Sequence, residues 1–235
     1  MKVSILRVAI SLVLLGILAA CSNDEAGVKN TINSHPTNSE ITGGVWAQLV
    51  LDISSAISGY SSQVSVVGGN DIEMGYSTAT SARNWVDGYS AITNRKALYN
   101  FGNAPCPTSG TYVGTTNCSN GWTAEDVYYV SWGASASWPL PELYNTSNSN
   151  AYQWKSLSLY SKNYHNSAMS FIGVLTQLGA CQQQGMPQSC NGVNNDPFSA
   201  WYQLYDALNY TNSTISQDPI SYATDIRYYS TLYGY

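Results

Sequence analysis

Apolar positions follow two rhythms along this chain, and the rhythms alternate. In "GGVWAQLVLDISSAISGY", Val45, Trp46, Leu49, Val50, Ile53, Ala56 and Ile57 keep helical spacing, which Gly59 ends. "QVSVVGG" follows as a short apolar run of buried-strand type. "STATSARNWVDGYSAI" returns to helical spacing through Ala82, Trp85, Val86 and Tyr89, behind Ser and Thr residues suited to capping. "ALYNFG" is the next strand. "TAEDV" then supplies one capped helical turn, and "YYVSWGA" reads as a third strand. "NAYQWKSLSLYSKN" predicts a helix and "AMSFIGVLTQ" a strand. "DPFSAWYQLYDALN" predicts a helix with Asp196 as N-cap and Pro197 at its first position, and "SYATDIRYY" a last short strand.

Strands that alternate with helices imply a parallel sheet joined by crossover helices, the α/β class. The reading yields about five mostly parallel strands. A complete eight-stranded β/α barrel takes about 200 residues or more. The expectation is therefore a partial or truncated TIM-barrel-like (β/α) domain over residues 44–235, with an open sheet as the alternative.

The first 43 residues read differently. "MKVSILRVAISLVLLGILAAC" places Lys2 and Arg7 before an apolar run from Val8 to Ala20, the layout of a secretory signal over residues 1–20. Leu18-Ala19-Ala20-Cys21 resembles a bacterial lipobox, which makes Cys21 a lipidation candidate and the lipid bilayer a partner. An ordinary signal peptide is the alternative. Residues 22–43 are polar and rich in Asn, Ser and Thr, and read as a flexible tether. The expected location is the bacterial cell envelope, facing outside the cytoplasm.

Composition sharpens that picture. Charged residues make up 10% of the chain, against about 25% in average soluble proteins, while there are 19 Tyr and 7 Trp. A surface built from Asn, Ser, Thr and Tyr suits an extracellular, carbohydrate-facing protein. The net charge of −5 and the lack of a basic cluster argue against nucleic acid. Beyond Cys21, Cys106–Cys118 and Cys181–Cys190 are the favoured disulfides, because each closes a short loop rich in turn-forming residues. Neither loop has the spacing of a zinc site, and no metal or cofactor is expected.

The candidate chemistry follows the first strand. In "VSVVGGNDIEMGY", Asp71 and Glu73 stand two residues apart and project to the same side if the strand continues through them. They lie at a strand's C-terminal end, where parallel α/β folds bind ligands. Two adjacent carboxyls can separate their acidities, so that one keeps a proton while the other is ionised, as glycoside hydrolysis requires. Tyr76, Trp132, Trp138 and Gln177 fall at or just beyond predicted strand ends and would line a sugar site, and Asp225 would add a third acid. Plainer roles exist for each. Asp71 and Glu73 could hold turn amides, the tryptophans could pack, Gln177 could satisfy a carbonyl, and Asp225 could pair with Arg227 or Arg83. No G-x-S-x-G, H-E-x-x-H, phosphate-loop or dinucleotide motif is present. The chain holds two histidines, His35 in the tether and His165 in a loop expected at the opposite end of the sheet from Glu73.

The segments "VVGGNDIEMGYSTATSARNWVDGY", "NGWTAEDVYYVSWGASASWPLPELYN", "AYQWKSLSLY", "FIGVLTQ" and "FSAWYQLYDALN" resemble a group of secreted bacterial proteins of unassigned activity with glycoside-hydrolase-like (β/α) barrels. The D-x-E at a strand end is distantly similar to that of family-25 glycoside hydrolases, the lysozyme-like muramidases. The resemblance spans residues 44 to about 229. It implies a barrel-derived domain acting on cell-wall or other polysaccharide, with Asp71 and Glu73 catalytic and Tyr76, Trp132, Gln177 and Asp225 binding substrate. A non-catalytic glycan binder, or an inactive relic of such an enzyme, is the alternative. The relatives carry further strands before the segment matching "VWAQLVLDISSAI", so the expectation is a barrel lacking its first strands.

Overall fold

A computed structural model describes residues 37–92, 96–210 and 213–227. The signal, Cys21 and the tether up to residue 36 lie outside the described residues. Five short strands alternate with helices: β1 (Gly68–Asn70), β2 (Leu98–Asn100), β3 (Ser137–Pro139), β4 (Gly173–Thr176) and β5 (Tyr222–Asp225). β1, β2 and β3 pair in parallel with Gly69, Tyr99 and Trp138 in one row, and β4 pairs in parallel with β5. Backbone bonds join the two groups: Ile172 N donates to the Pro139 carbonyl, Leu175 N to Pro141, and Leu143 N to Leu175. The strands thus lie in chain order, all parallel, with no reversal of the kind that defines a doubly wound sheet. Among the described residues β1 and β5 are open edges, and the sheet does not close on itself.

The two sheet faces are distinct. A Cβ on Gly68 would strike the Tyr89 ring, so that face looks toward the helices. One on Gly69 would strike the Phe101 ring on the other face. On this second face, burial and the nearby Tyr222 on β5 raise the Tyr99 hydroxyl's pKa.

The helices are α1 (Asn38–Ala56), α2 (Ala79–Ile92), α3 (Ala124–Tyr128), α4 (Ser149–His165), α5 (Leu178–Gln183) and α6 (Pro197–Asn209). Their buried side chains, including Val86, Tyr89, Val127, Trp154, Leu157, Leu204 and Leu208, form one core with Leu98 and Val174 of the sheet. α6 starts as its sequence dictates, with Asp196 accepting from the Phe198 and Ser199 amides and Pro197 in the first turn. No helix among the described residues is long and apolar enough to cross a membrane.

Three expectations need correction. The segment 128–134 is not a strand. Thr123 and Asp126 form a capping box that launches α3, and the helix continues as a π-helical turn over Tyr129–Gly133; the strand comes later, at Ser137–Pro139. A seven-residue apolar run does not distinguish the two states by periodicity alone. Residues 38–43, expected to belong to a tether, are helical: Thr37 caps α1 with Glu40 and the helix already runs at Asn38. The face of α1 that packs is also different. Gly43, Ala47 and Val50 are buried, while Val45, Leu49 and Ile53 are exposed together with Ile41. A Cβ on Gly43 would lie 1.9 Å from the Trp85 carbonyl oxygen, and one on Gly88 would lie 1.9 Å from that of Glu40. Backbone-to-backbone approach to α2 therefore selects the small-residue face over the aliphatic one.

Both disulfides form with the expected pairing, Cys106–Cys118 and Cys181–Cys190. They close loops of sequence separation 12 and 9. Loop-closure entropy alone assigns each about 3 kcal/mol. Replacing Cys106 and Cys118 together by Ser should lower the unfolding free energy by about that amount, read as a shift in the urea midpoint.

Candidate active site

The site is assembled from three loops that leave the C-terminal ends of β1, β2 and β3. β1 stops at Asn70, so Asp71 and Glu73 stand just past the strand rather than on it. Their shared direction survives because alternation survives. Ile72 between them is buried, and its amide donates to Asn100 Oδ1 at 3.3 Å. Asn100, 1% exposed, also accepts from Gly102 N at 2.9 Å and donates to Ser131 Oγ at 2.9 Å. The π-helical turn brings Ser131 to it. One buried amide thus ties the loop after β1, the loop after β2 and the helical layer together. Gly102 is required where it stands, since a Cβ there would lie 2.0 Å from the Ile72 carbonyl oxygen.

Removing that amide orphans buried donors, at about 1–3 kcal/mol for each group left unpaired. Asn100→Ala should therefore lower stability by at least about 2 kcal/mol in chemical denaturation.

The third loop carries a residue that strand periodicity did not single out. Glu142 follows β3, is 6% exposed, and places a carboxyl oxygen within 4.8 Å of those of Asp71 and Glu73. Its backbone amide meets the Gly102 carbonyl, which fixes its height beside the other loops. Burial, then the charges of Asp71 and Glu73, push the Glu142 carboxyl up to about 9, against a pull downward by a hydrogen bond from Tyr144. Burial first and Glu73 second raise Asp71 to about 6. Burial and Glu142 drive the Tyr144 hydroxyl far above its ordinary range. Asn103 Nδ2 donates to Glu73 Oε1 at 2.8 Å. One Asp71 oxygen, Oδ1, is buried without a protein partner. Three carboxyls so spaced match the geometry of metal ligands and equally that of a cluster that shares protons.

The remaining candidates separate. Tyr76 is 66% exposed, and its hydroxyl's pKa is raised first by the charge of Glu73, which puts it beside the acids. Trp132 is not at a strand end. It lies in the π-helical turn and packs edge-on against Trp138, ring centroids 5.0 Å apart. Gln177 does follow β4, where its side-chain amide donates to the Val193 carbonyl at 3.4 Å. Asp225 accepts from Thr176 Oγ1 and from Gly179 N, each at 2.8 Å, and its Oδ2 lies 3.6 Å from Arg227 Nε. Both of its oxygens are thereby bound into β4, α5 and Arg227. His165 pairs with Glu125 at 3.0 Å and stacks on Tyr128.

Proline and glutamate in "PLPELY" carried the missed signal, an acid just after an apolar run, as in the segment holding Asp71. No family model, curated protein or solved structure matches this chain.

Proposed function

We propose that this chain is a cell-surface lipoprotein whose folded domain is a glycoside hydrolase related to (β/α) barrel enzymes and acting on cell-wall or other polysaccharide. The observation that carries the reading is the acid pair itself. Asp71 is a half-buried carboxyl with one enclosed oxygen, raised to about 6 and set within 4.8 Å of Glu73 past the end of a parallel strand. A carboxyl lifted to about 6 is the form a general acid takes in lysozyme-type chemistry. Consecutive parallel strands in chain order, with acids at their C-terminal ends, support the barrel relationship. The two disulfides support a compartment outside the cytoplasm.

Asp71 gives its proton to the glycosidic oxygen as the C1–O bond breaks, and the Glu73 carboxylate bonds to C1. A water then attacks C1, loses its proton to Asp71 and frees Glu73. An oxygen of each acid lies no more than 4.8 Å from the other, below the roughly 6.5–9.5 Å of inverting enzymes, which favours retention. Asp71 must be protonated and Glu73 ionised, so turnover should fall as pH rises past 6. The test is release of reducing ends from peptidoglycan and other glycans near pH 5.5. A second reading, glycan binding without cleavage, is favoured by the exposed ring of Tyr76 beside the acids; saturable glycan binding with no new reducing ends would select it.

A further inference from the structure

Helix α1 is apolar on two faces. Gly43, Ala47 and Val50 are buried. Ile41, Val45, Leu49 and Ile53 repeat every fourth residue on the outward side and are 44–64% exposed. Ile92 of α2 is exposed beside them. With Ile41 and Val45 it lines a groove of about 430 Å³ in which Glu40 and Gln48 are the only polar side chains. A helix that is apolar all round belongs in a setting that covers it all round. Single aliphatic side chains on a surface need no explanation, but these five form one patch. They leave roughly 400 Å² open, the size that commonly marks an interaction site.

Area and distance select the occupant. Pressed against the same face of a second copy, the patch would bury roughly 800 Å², below the about 1,200 Å² at which stable interfaces begin. A bilayer needs no matching face. Only residues 22–36 separate Cys21 from Thr37, the residue that caps α1. A polar chain of that length spans roughly 20–25 Å on average, less than the roughly 28 Å length of α1 itself. A lipid on Cys21 therefore brings α1 to the membrane surface before any other element. We propose that the outward face of α1, with Ile92, rests on the lipid bilayer, its aliphatic side chains inserted at the boundary of headgroups and acyl chains. The inference deepens the lipoprotein reading and rests on it for delivery to the membrane, not for the apolar face. α1 holds Glu40 and Asp52 but no Lys or Arg, so the contact depends on buried apolar area and not on anionic headgroups. Asp71, Glu73 and Glu142 stand on other elements, and docking through α1 leaves them open.

The test places a nitroxide on the full chain through Leu49→Cys and follows its collisions with oxygen, which concentrates in hydrocarbon, and with a water-soluble nickel chelate. In protein purified from expressing cells and reconstituted into phosphatidylcholine vesicles, chelate collisions should fall about fivefold or more while oxygen collisions rise, at low and high salt alike. Val45→Glu with Ile53→Glu in the same labelled chain should restore chelate access. A label that meets the chelate equally with and without vesicles overturns the proposal. So does a label shielded from the chelate before lipid is added, spin–spin coupling between chains then assigning the face to a second copy and its absence to a segment of the same chain. Mass spectrometry of the N-terminal peptide reads lipidation of Cys21 separately. If Cys21 carries no lipid, the labelled chain with Cys21→Ser is mixed with the vesicles directly. Entry of the label into hydrocarbon then defeats the lipoprotein reading and supports the docking face, and a label that stays in water overturns the docking face as well.

Discussion

Replacing Glu73 with Gln is expected to reduce glycan turnover by about a thousandfold, within the range of about 10²–10⁴ seen for removal of one acid–base group. The substitution keeps the shape and the hydrogen bond from Asn103 Nδ2, which now points at an amide oxygen. It removes what the nucleophilic step demands, a carboxylate that can bond to C1. Asp71→Asn should act in parallel, since an amide cannot donate the proton that Asp71 holds below pH 6. Initial rates of reducing-end release at pH 5.5 measure both. Rates within threefold of the parent protein for Glu73→Gln would remove Glu73 from the mechanism.

The same acids should make the protein less stable as it becomes less acidic. Asp71 rises from 3.8 to about 6 on folding, and Glu142 from 4.5 to about 9. In each case the folded state holds a proton that the unfolded chain releases. Stability is therefore highest below pH 4 for these groups. It declines between about pH 4 and 6 through Asp71, and from about pH 4.5 up to about 9 through Glu142. Each unit corresponds to about 1.4 kcal/mol, so the two together oppose folding at pH 8 by on the order of 8 kcal/mol. The double variant Asp71→Asn, Glu142→Gln removes both contributions. Its melting temperature at pH 8 should exceed that of the parent by roughly 15–30 °C, at about 2–4 °C per kcal/mol for a domain of this size, and the gap should close toward pH 4. Side chains that weaken the fold and are retained for chemistry are the expected signature of a functional cluster. A double variant no more stable than the parent at pH 8 would mean that these acids serve the fold instead.

How much of this was legible in the chain depended on the kind of signal. Strong local signals were read correctly: Asp196-Pro197 starts α6, and short turn-rich loops pair their own cysteines. So was the parallel order, because β/α alternation constrains topology more than it constrains boundaries. Where two states share an apolar run, tertiary context decided. Val130 and Ser131 are buried as a π-helical turn rather than as a strand, since Ser131 has to meet Asn100. On α1, glycine contacts with α2 outweighed the aliphatic stripe. At the site, the D-x-E spacing showed the pair but not what holds it. Asn100 comes from β2 and Asn103, Glu142 and Tyr144 from later loops, all 27 or more positions away along the chain. Only the packing of successive strands brings them to Asp71 and Glu73.

The stereochemistry of the first turnover tests the account most directly. Hydrolysis of a soluble glycan, followed by proton NMR of the new anomeric centre before mutarotation, should show the configuration of the cleaved bond retained, as the close approach of Asp71 and Glu73 requires. An inverted product, or no product from any glycan under conditions where the folded protein is intact, would contradict it.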